Sequence, residues 1–234
     1  MKNVYFDLDD TLIQTQEAYM DVNNKLSKLI EQNTNYKKSE ILSYMNKIDI
    51  SKIESMSFSP SRFCSSWVET FEKLMPKNSF SKTHVFDLAN DVFQREIPLH
   101  ADAKSILDII KSEKPEKTKF VILTHGDKHI QTKRIEDLGL HTIFDDISIV
   151  DHKNEKVYKS MNSSNEDIMI GNSLNHDILP ALNASWQAFH IERPLSWEYD
   201  GQFTEKKFFS SKDLTIIWDY IFKGDVLYGI KAKN

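Results

Sequence analysis

The sequence predicts an α/β fold, a doubly wound parallel sheet interrupted by an inserted all-helical domain. Three observations predict it. Short apolar runs at 4–8, 120–123, 147–150, 168–170 and 188–191 suit strands buried on both faces of a parallel sheet. Stripes of apolar residues at helical spacing lie between the last four runs and before the second. A long stretch with helical patterning only, 15–95, separates the first run from the next core helix. Alternation of strand and helix is the mark of a doubly wound domain.

The elements follow in order. The run 4–8 is the first strand, and it ends on acidic residues. In the insertion, Ala18, Tyr19, Val22, Leu26, Leu29 and Ile30 form one helical stripe, and Ile41, Leu42, Met45 and Ile48 a second. Ser59 followed by Pro60 is a start signal, a capping hydroxyl before a residue that needs no amide donor. Phe63, Trp67, Phe71 and Leu74 then line one face, which places these aromatics in the core of the insertion, and Pro76 stops the run. Val85, Leu88, Ala89, Val92 and Phe93 make the fourth stripe. Core helices are expected over 103–110, 130–138, 157–161 and 178–182, with Gly139 as a C-cap. Leu214, Ile217, Trp218 and Ile221 mark a last amphipathic helix. The domain organisation expected is a core of 1–14 and 96–234 and a helical cap of 15–95.

Composition narrows the function. Apolar residues make up 40% and charged residues 28% of the 234, enough for a packed core under a wet surface. A net charge of −5 argues against a nucleic-acid polymer as partner, which calls for a basic face. Cys64 is the single cysteine, so an internal disulfide and an all-cysteine zinc site are excluded. It has no charged neighbour in sequence to activate it and reads as packing. No apolar run is long enough to span a bilayer, and the start MKNVYFDLDD is not that of a signal peptide. The expectation is a cytoplasmic protein with no membrane partner.

Chemistry gathers at the strand ends. Asp7, Asp9, Asp10 and Thr11 follow the first strand, and Thr124, His125 and Asp127 the second. Asp151, His152 and Lys153 follow the third, and Gly171, Asn172, Ser173 and Asp177 the fourth. In open α/β sheets ligands bind beyond this edge, so an insertion after the first strand would serve as a lid. Carboxylates brought together need a cation, and oxygen ligands point to Mg²⁺ rather than zinc. A lysine and a hydroxyl beside such a metal make a phosphate cradle.

These residues fall into four motifs: VYFDLDDTL at 4–12, VILTHG at 121–126, Lys153 in VDHKNEKVY, and MIGNSLNHDI at 169–178. PLHADAKSIL at 98–107 and RIEDLGLHTIFD at 134–145 add to them. In this order they resemble the haloacid dehalogenase superfamily of phosphohydrolases, across the whole core, whereas the cap shares only its position with the helical caps of that family. The resemblance implies a Rossmann-like core and a Mg²⁺-dependent phosphatase acting on a small phosphomonoester of the nucleotide or sugar phosphate class. It implies Asp7 as nucleophile forming an aspartyl phosphate, and Asp9 as general acid and then base. Relatives that cleave carbon–halogen bonds lack an acid at that second position. Thr124 and Lys153 would bind phosphate. Asp7, the backbone carbonyl of Asp9, and Asp177 would hold Mg²⁺. Asn172 stands where relatives often carry an acid and is expected behind the ligands or as a weak ligand. His125 replaces a frequent asparagine and receives no role. Asp10 reads as structural, and Thr11 as a possible orienting group for the loop. Lys133 and Arg134 read as surface or structural charges, and Arg193 as a surface charge, with contact to a substrate anion as the alternative. A phosphomutase or phosphotransferase on the same fold, and a catalytically weak metabolite-binding regulator, are the alternatives.

Overall fold

The computed structural model describes residues 2–75, 80–161, 166–195 and 207–224, and the backbone of 231–233. Pro76, expected to stop a helix, lies outside the described residues. The chain divides into two compact units, Met1–Gln16 with Ile97–Asn234, and Glu17–Glu96.

In chain order, β1 (Lys2–Phe6) is followed by α1 (Thr15–Asn33), α2 (Lys38–Ser51), α3 (Ile53–Met56), α4 (Pro60–Leu74) and α5 (Lys82–Gln94). Then come α6 (Ala101–Ser112), β2 (Thr118–His125), α7 (Lys128–Asp137), β3 (Asp146–Val150), α8 (Glu155–Ser160) and β4 (Ile168–Gly171). A π-helical turn (Leu174–Ile178) leads into α9 (Leu179–Asn183), β5 (Gln187–Ile191), β6 (Phe208–Ser211), α10 (Leu214–Phe222) and β7 (Lys231–Lys233).

The sheet runs β3-β2-β1-β4-β5-β6-β7. Its first six strands are parallel, and β7 pairs antiparallel with β6. This is the doubly wound α/β architecture that the alternation predicts. β1 is central, with Val4 opposite Phe120 of β2 on one side and Ile168 of β4 on the other. Such a position demands side chains that are apolar on both faces, and Val4, Tyr5 and Phe6 are buried. Core helices pack against the sheet; Trp218 of α10 stacks on Phe120 with ring centroids 5.6 Å apart. Two strands escape the sequence reading. β6 is FFSS, half polar, and β7 is KAK, with no apolar run to announce it. Conversely the first strand ends at Phe6 rather than at position 8, and the chain turns over residues 10–12.

Two segments join the core to its insertion, and they pair with each other. Ile13 bridges Leu99 in antiparallel fashion, Gln14 N donates to Pro98 O at 2.9 Å, and His100 N donates to Leu12 O at 2.9 Å. The unit of residues 17–96 is helical throughout its described elements. Ala18, Val22, Leu26 and Ile30 face its core, as do Ile41 and Met45, Phe63, Trp67 and Phe71, and Val85, Ala89, Val92 and Phe93. Ser59 Oγ accepts from Arg62 N at 3.2 Å and caps α4. The indole of Trp67, fully buried, satisfies its N–H on Asn23 Oδ1 at 3.1 Å. Cys64 is fully buried, and burial pushes its thiol up to about 12, so it packs rather than reacts.

Candidate active site

The site is made at the carboxyl ends of β1 to β4, where parallel strands release their chains on one edge. Asp7 is the first residue past β1, and its amide donates to Ile170 O of β4 at 3.0 Å. The chain then closes a tight turn: the amides of Leu12 and Ile13 both donate to Leu8 O, at 2.9 and 3.1 Å. The turn requires a left-handed residue, and Asp10 supplies it with φ 57°. An aspartate tolerates this better than most residues because its carboxylate bonds locally; here Asp10 Oδ1 accepts from Gln16 N at 2.6 Å. Asp10 is thus a turn residue, and burial raises its carboxyl to about 8.

A buried knot forms around Lys153. Its ammonium stands 2.5 Å from Asp7 Oδ1 and 2.5 Å from Asp177 Oδ1, and 3.3 Å from Leu123 O. Lys153 is 2% exposed, Asp7 4% and Asp177 0%, so three ionisable groups share a site that solvent barely reaches. Burial works against each charge, and each pair interaction favours it. For Lys153 the attraction of Asp177 and Asp7 outweighs burial, and its pKa rises above the ordinary value. Asp7 moves up to about 7, driven first by burial and opposed by Lys153, with Asp177 and Asp9 adding repulsion.

The other oxygens of both carboxylates are also engaged. Thr11 Oγ1 donates to Asp7 Oδ2 at 2.8 Å and accepts from Asn172 N at 3.0 Å. Asn172 Oδ1 lies 3.2 Å from the same hydroxyl, whose single proton goes to the nearer, charged oxygen. Asp177 Oδ2 accepts from Ser173 N at 3.0 Å. Asp177 sits on the π-helical turn, directly over Gly171. A Cβ at Gly171 would lie 2.2 Å from Asp177 Oδ2, so only glycine allows this approach.

A second group surrounds Asp9. Its Oδ1 accepts from Thr15 Oγ1 and from Arg134 Nη1, each at 2.7 Å, and its Oδ2 from Gln131 Nε2 at 2.6 Å. The Gln131 amide nitrogen also lies 2.8 Å from Thr124 Oγ1 and 3.0 Å from His125 O. With two protons and three acceptors, it ties the end of β2 to Asp9 as one unit. Thr124 is 1% exposed, and Gln131 and Arg134 are buried.

The structure thus brings Asp7, Thr11, Lys153, Asn172 and Asp177 into one knot, and Asp9 and Thr124 into an adjoining one. One reading narrows and one changes. Arg134, expected as surface or structural, is structural: it crosses from α7 to Asp9. The side chain of Arg193 is 7% exposed and forms an ion pair with Asp102, so it is no surface charge. Gln131, Thr15 and Gly171 received no role from the sequence. For Gln131 and Arg134 a signal existed, two polar residues three apart on a helix whose neighbours Ile130 and Ile135 are buried.

Among the described residues no three His, Cys, Asp or Glu side chains converge as a metal site. Asp7 and Asp177 converge on Lys153 instead, and the Asp9 carboxylate turns to Arg134 and Gln131. The donors nevertheless fit Mg²⁺. Two buried carboxylates face one ammonium, which leaves an excess negative charge among hard oxygen ligands, with the amide oxygen of Asn172 beside them. In this arrangement the chain gathers two buried carboxylates on an ammonium, a third carboxylate in Asp9, and the Thr124 hydroxyl at one edge of the sheet.

Comparison with known proteins agrees with this fold. The profile of haloacid dehalogenase-like hydrolases matches residues 1–185. The N-acylneuraminate-9-phosphatases of Rattus norvegicus and Mus musculus are 26% and 27% identical over 207 residues, covering 80% of this chain and 81% of theirs. A haloacid dehalogenase-like hydrolase of Xanthomonas campestris superposes with a TM-score of 0.70 at 19% identity, over 88% of this chain and 87% of its own. A magnesium-bound hydrolase of the same type from Bacillus subtilis gives 0.63 at 17% identity, over 94% and 98%. No helix among the described residues is long and apolar enough to cross a membrane.

Proposed function

Because the chain belongs to the haloacid dehalogenase-like hydrolase family, we propose that it is a Mg²⁺-dependent phosphatase that hydrolyses a small sugar-phosphate-like monoester. The observation that carries this reading is Lys153 held between Asp7 and Asp177 at the edge of the sheet. The substrate class rests on the relatives, which are phosphatases of a sugar acid phosphate.

Asp7 is the nucleophile in this proposal. A carboxylate oxygen attacks phosphorus, the ester oxygen leaves, and the phosphoryl group resides on Asp7 until water displaces it. Thr11 and Lys153 orient the Asp7 oxygens, so the nucleophile is aimed before substrate arrives. Lys153 and Thr124 donate to the phosphoryl oxygens as charge spreads over them. Asp9 gives its proton to the leaving oxygen and later takes one from water. To do so it must release Arg134 and Gln131, which hold both of its oxygens in this state. Asp7, Asp177 and the Asp9 carbonyl, with Asn172 behind them, would hold Mg²⁺, which would supply positive charge against the phosphate.

The test is phosphate release from an aryl phosphate and from a panel of phosphorylated sugars and sugar acids, with Mg²⁺ and with chelator. Turnover that needs Mg²⁺ and disappears in Asp7→Asn supports the reading. A wild type no faster than Asp7→Asn overturns it.

A further inference from the structure

Arg193, two residues beyond β5, makes contacts that charge neutralisation alone does not explain. Its guanidinium pairs with Asp102 in fork geometry, Nη1 to Oδ2 at 2.9 Å and Nη2 to Oδ1 at 3.1 Å. It also donates from Nε to Asp10 O at 3.1 Å and from Nη2 to Thr11 O at 2.6 Å. These carbonyls belong to the two residues that follow Asp9, and one of them is the left-handed Asp10. Asp102 is itself anchored: Oδ2 accepts from Leu214 N at 3.0 Å, and Oδ1 from Ala103 N at 2.8 Å. The first turns of α6 and α10 therefore fix the carboxylate, the carboxylate fixes the guanidinium, and the guanidinium grips the turn. Despite burial, Arg193 and the amides of Leu214 and Ala103 hold the Asp102 carboxyl below its usual range, so the anchor stays ionised.

We infer that Arg193 is a positioning residue for catalysis: through the carbonyls of Asp10 and Thr11 it holds the turn 7–13 in the conformation that aims Asp7 and Asp9. The inference rests on the phosphatase reading only for its kinetic part. A left-handed aspartate is strained and persists only where its surroundings over-determine it. The hydrogen bonds inside the turn, from Leu12 and Ile13 to Leu8 O, close it but leave the outward carbonyls of Asp10 and Thr11 to the guanidinium. The guanidinium makes four bonds at once, two to the carboxylate in fork geometry and one to each carbonyl; an ammonium has three protons and no fixed fork.

The experiment compares wild type, Arg193→Lys and Asp102→Asn. Arg193→Lys keeps the charge beside Asp102, so a purely electrostatic role predicts wild-type behaviour. The positioning role predicts instead a fall in kcat of about 10- to 100-fold on an aryl phosphate. KM should stay within about twofold, because the donors to phosphate are untouched. Hydrogen exchange read by mass spectrometry supplies a second measure that needs no turnover. In Arg193→Lys the amides of Leu12 and Ile13 should exchange about tenfold faster or more, with β5 and the body of α6 unchanged. Asp102→Asn, nearly isosteric, should show the same local signature to a lesser degree, and it carries the test if the lysine variant does not fold. Wild-type kcat and wild-type protection of the turn in both variants would overturn the inference, as would a uniform loss of protection across the core. A wild type without phosphatase activity sinks the functional reading and leaves the exchange result to decide the clamp.

Discussion

Lys153 places one positive charge between two carboxylates where solvent does not reach, and much of the site follows from that ratio. Removing the ammonium leaves two buried anions facing each other. Lys153→Met, similar in length, should therefore destabilise the protein by about 3–5 kcal/mol in urea unfolding, the usual cost of breaking a buried pair from one side. It should also remove turnover. If its stability matched wild type, the knot would be less buried than its exposures state. Gly171 makes a second prediction. Its Cα faces the Asp177 carboxylate, and an added methyl would displace it. Gly171→Ala should lose at least about tenfold in apparent Mg²⁺ affinity, because ligand placement within fractions of an ångström controls such sites. Titration calorimetry with MgCl₂ reads this directly, and an unchanged affinity would show that Asp177 takes no part in metal binding. At this scale the carboxylates, Thr124 and Lys153 were legible because they sit at strand ends, where alternation places them without knowledge of distances. Gly171, Gln131 and Arg134 were not. A glycine's role lies in what approaches it, and a helical side chain's role in what the helix faces, and neither is written locally.

Among the elements, the π-helical turn Leu174–Ile178 carries the most consequence, since one extra residue in the turn changes where Asp177 points. Two contacts hold it: Ser173, whose Oγ accepts from His176 N at 3.1 Å and whose amide is bonded by Asp177, and Tyr158, whose hydroxyl donates to His176 O at 2.9 Å. Tyr158 is fully buried on α8, five residues after Lys153, so one short stretch of chain carries both the ammonium and a support for the turn facing it. Tyr158→Phe removes only the hydroxyl. It should cost about 0.5–1.5 kcal/mol of stability, with a weaker response of the melting temperature to Mg²⁺ than wild type shows. A full Mg²⁺ response in Tyr158→Phe would assign the turn's geometry to Ser173 and Asp177 alone. The sequence pattern reads this region as one helix over 178–182, because apolar spacing reports the buried face and not the hydrogen-bond register. The same limit hides β6 and β7: FFSS and KAK carry no periodic signal, and they become strands by adding to the edge that β5 provides.

For the whole molecule, a parallel sheet with β1 at its centre brings residues 7, 124, 153 and 177 to a single edge, and this convergence was legible because strand order in such folds fixes which chain ends meet. Concentrating acids there sets the pH behaviour of the fold. The folded pKa of Asp7 lies near 7 and that of Asp10 near 8, against an ordinary value of 3.8, with burial the leading cause in both. The folded state then holds these protons more tightly than the unfolded chain does. Stability conferred by the protonated carboxyls is present at low pH and is lost as pH climbs from about 4 to about 8. Lys153 has the same sign in a later window: its raised pKa contributes stability that is whole below the ordinary 10.5 and is lost as pH rises from there through its folded value. Without divalent cations, then, the melting temperature should fall between about pH 5 and pH 8 before any loss due to Lys153. Mg²⁺ binds the ionised carboxylates and competes with their protons, so its stabilisation should be small near pH 5 and large near pH 8. Thermal melts across this range, in chelator and in MgCl₂, test both halves. Flat or rising stability in chelator would overturn the upward shift of Asp7 and Asp10. A Mg²⁺ effect larger at pH 5 than at pH 8 would show that the cation binds somewhere other than the carboxylate knot.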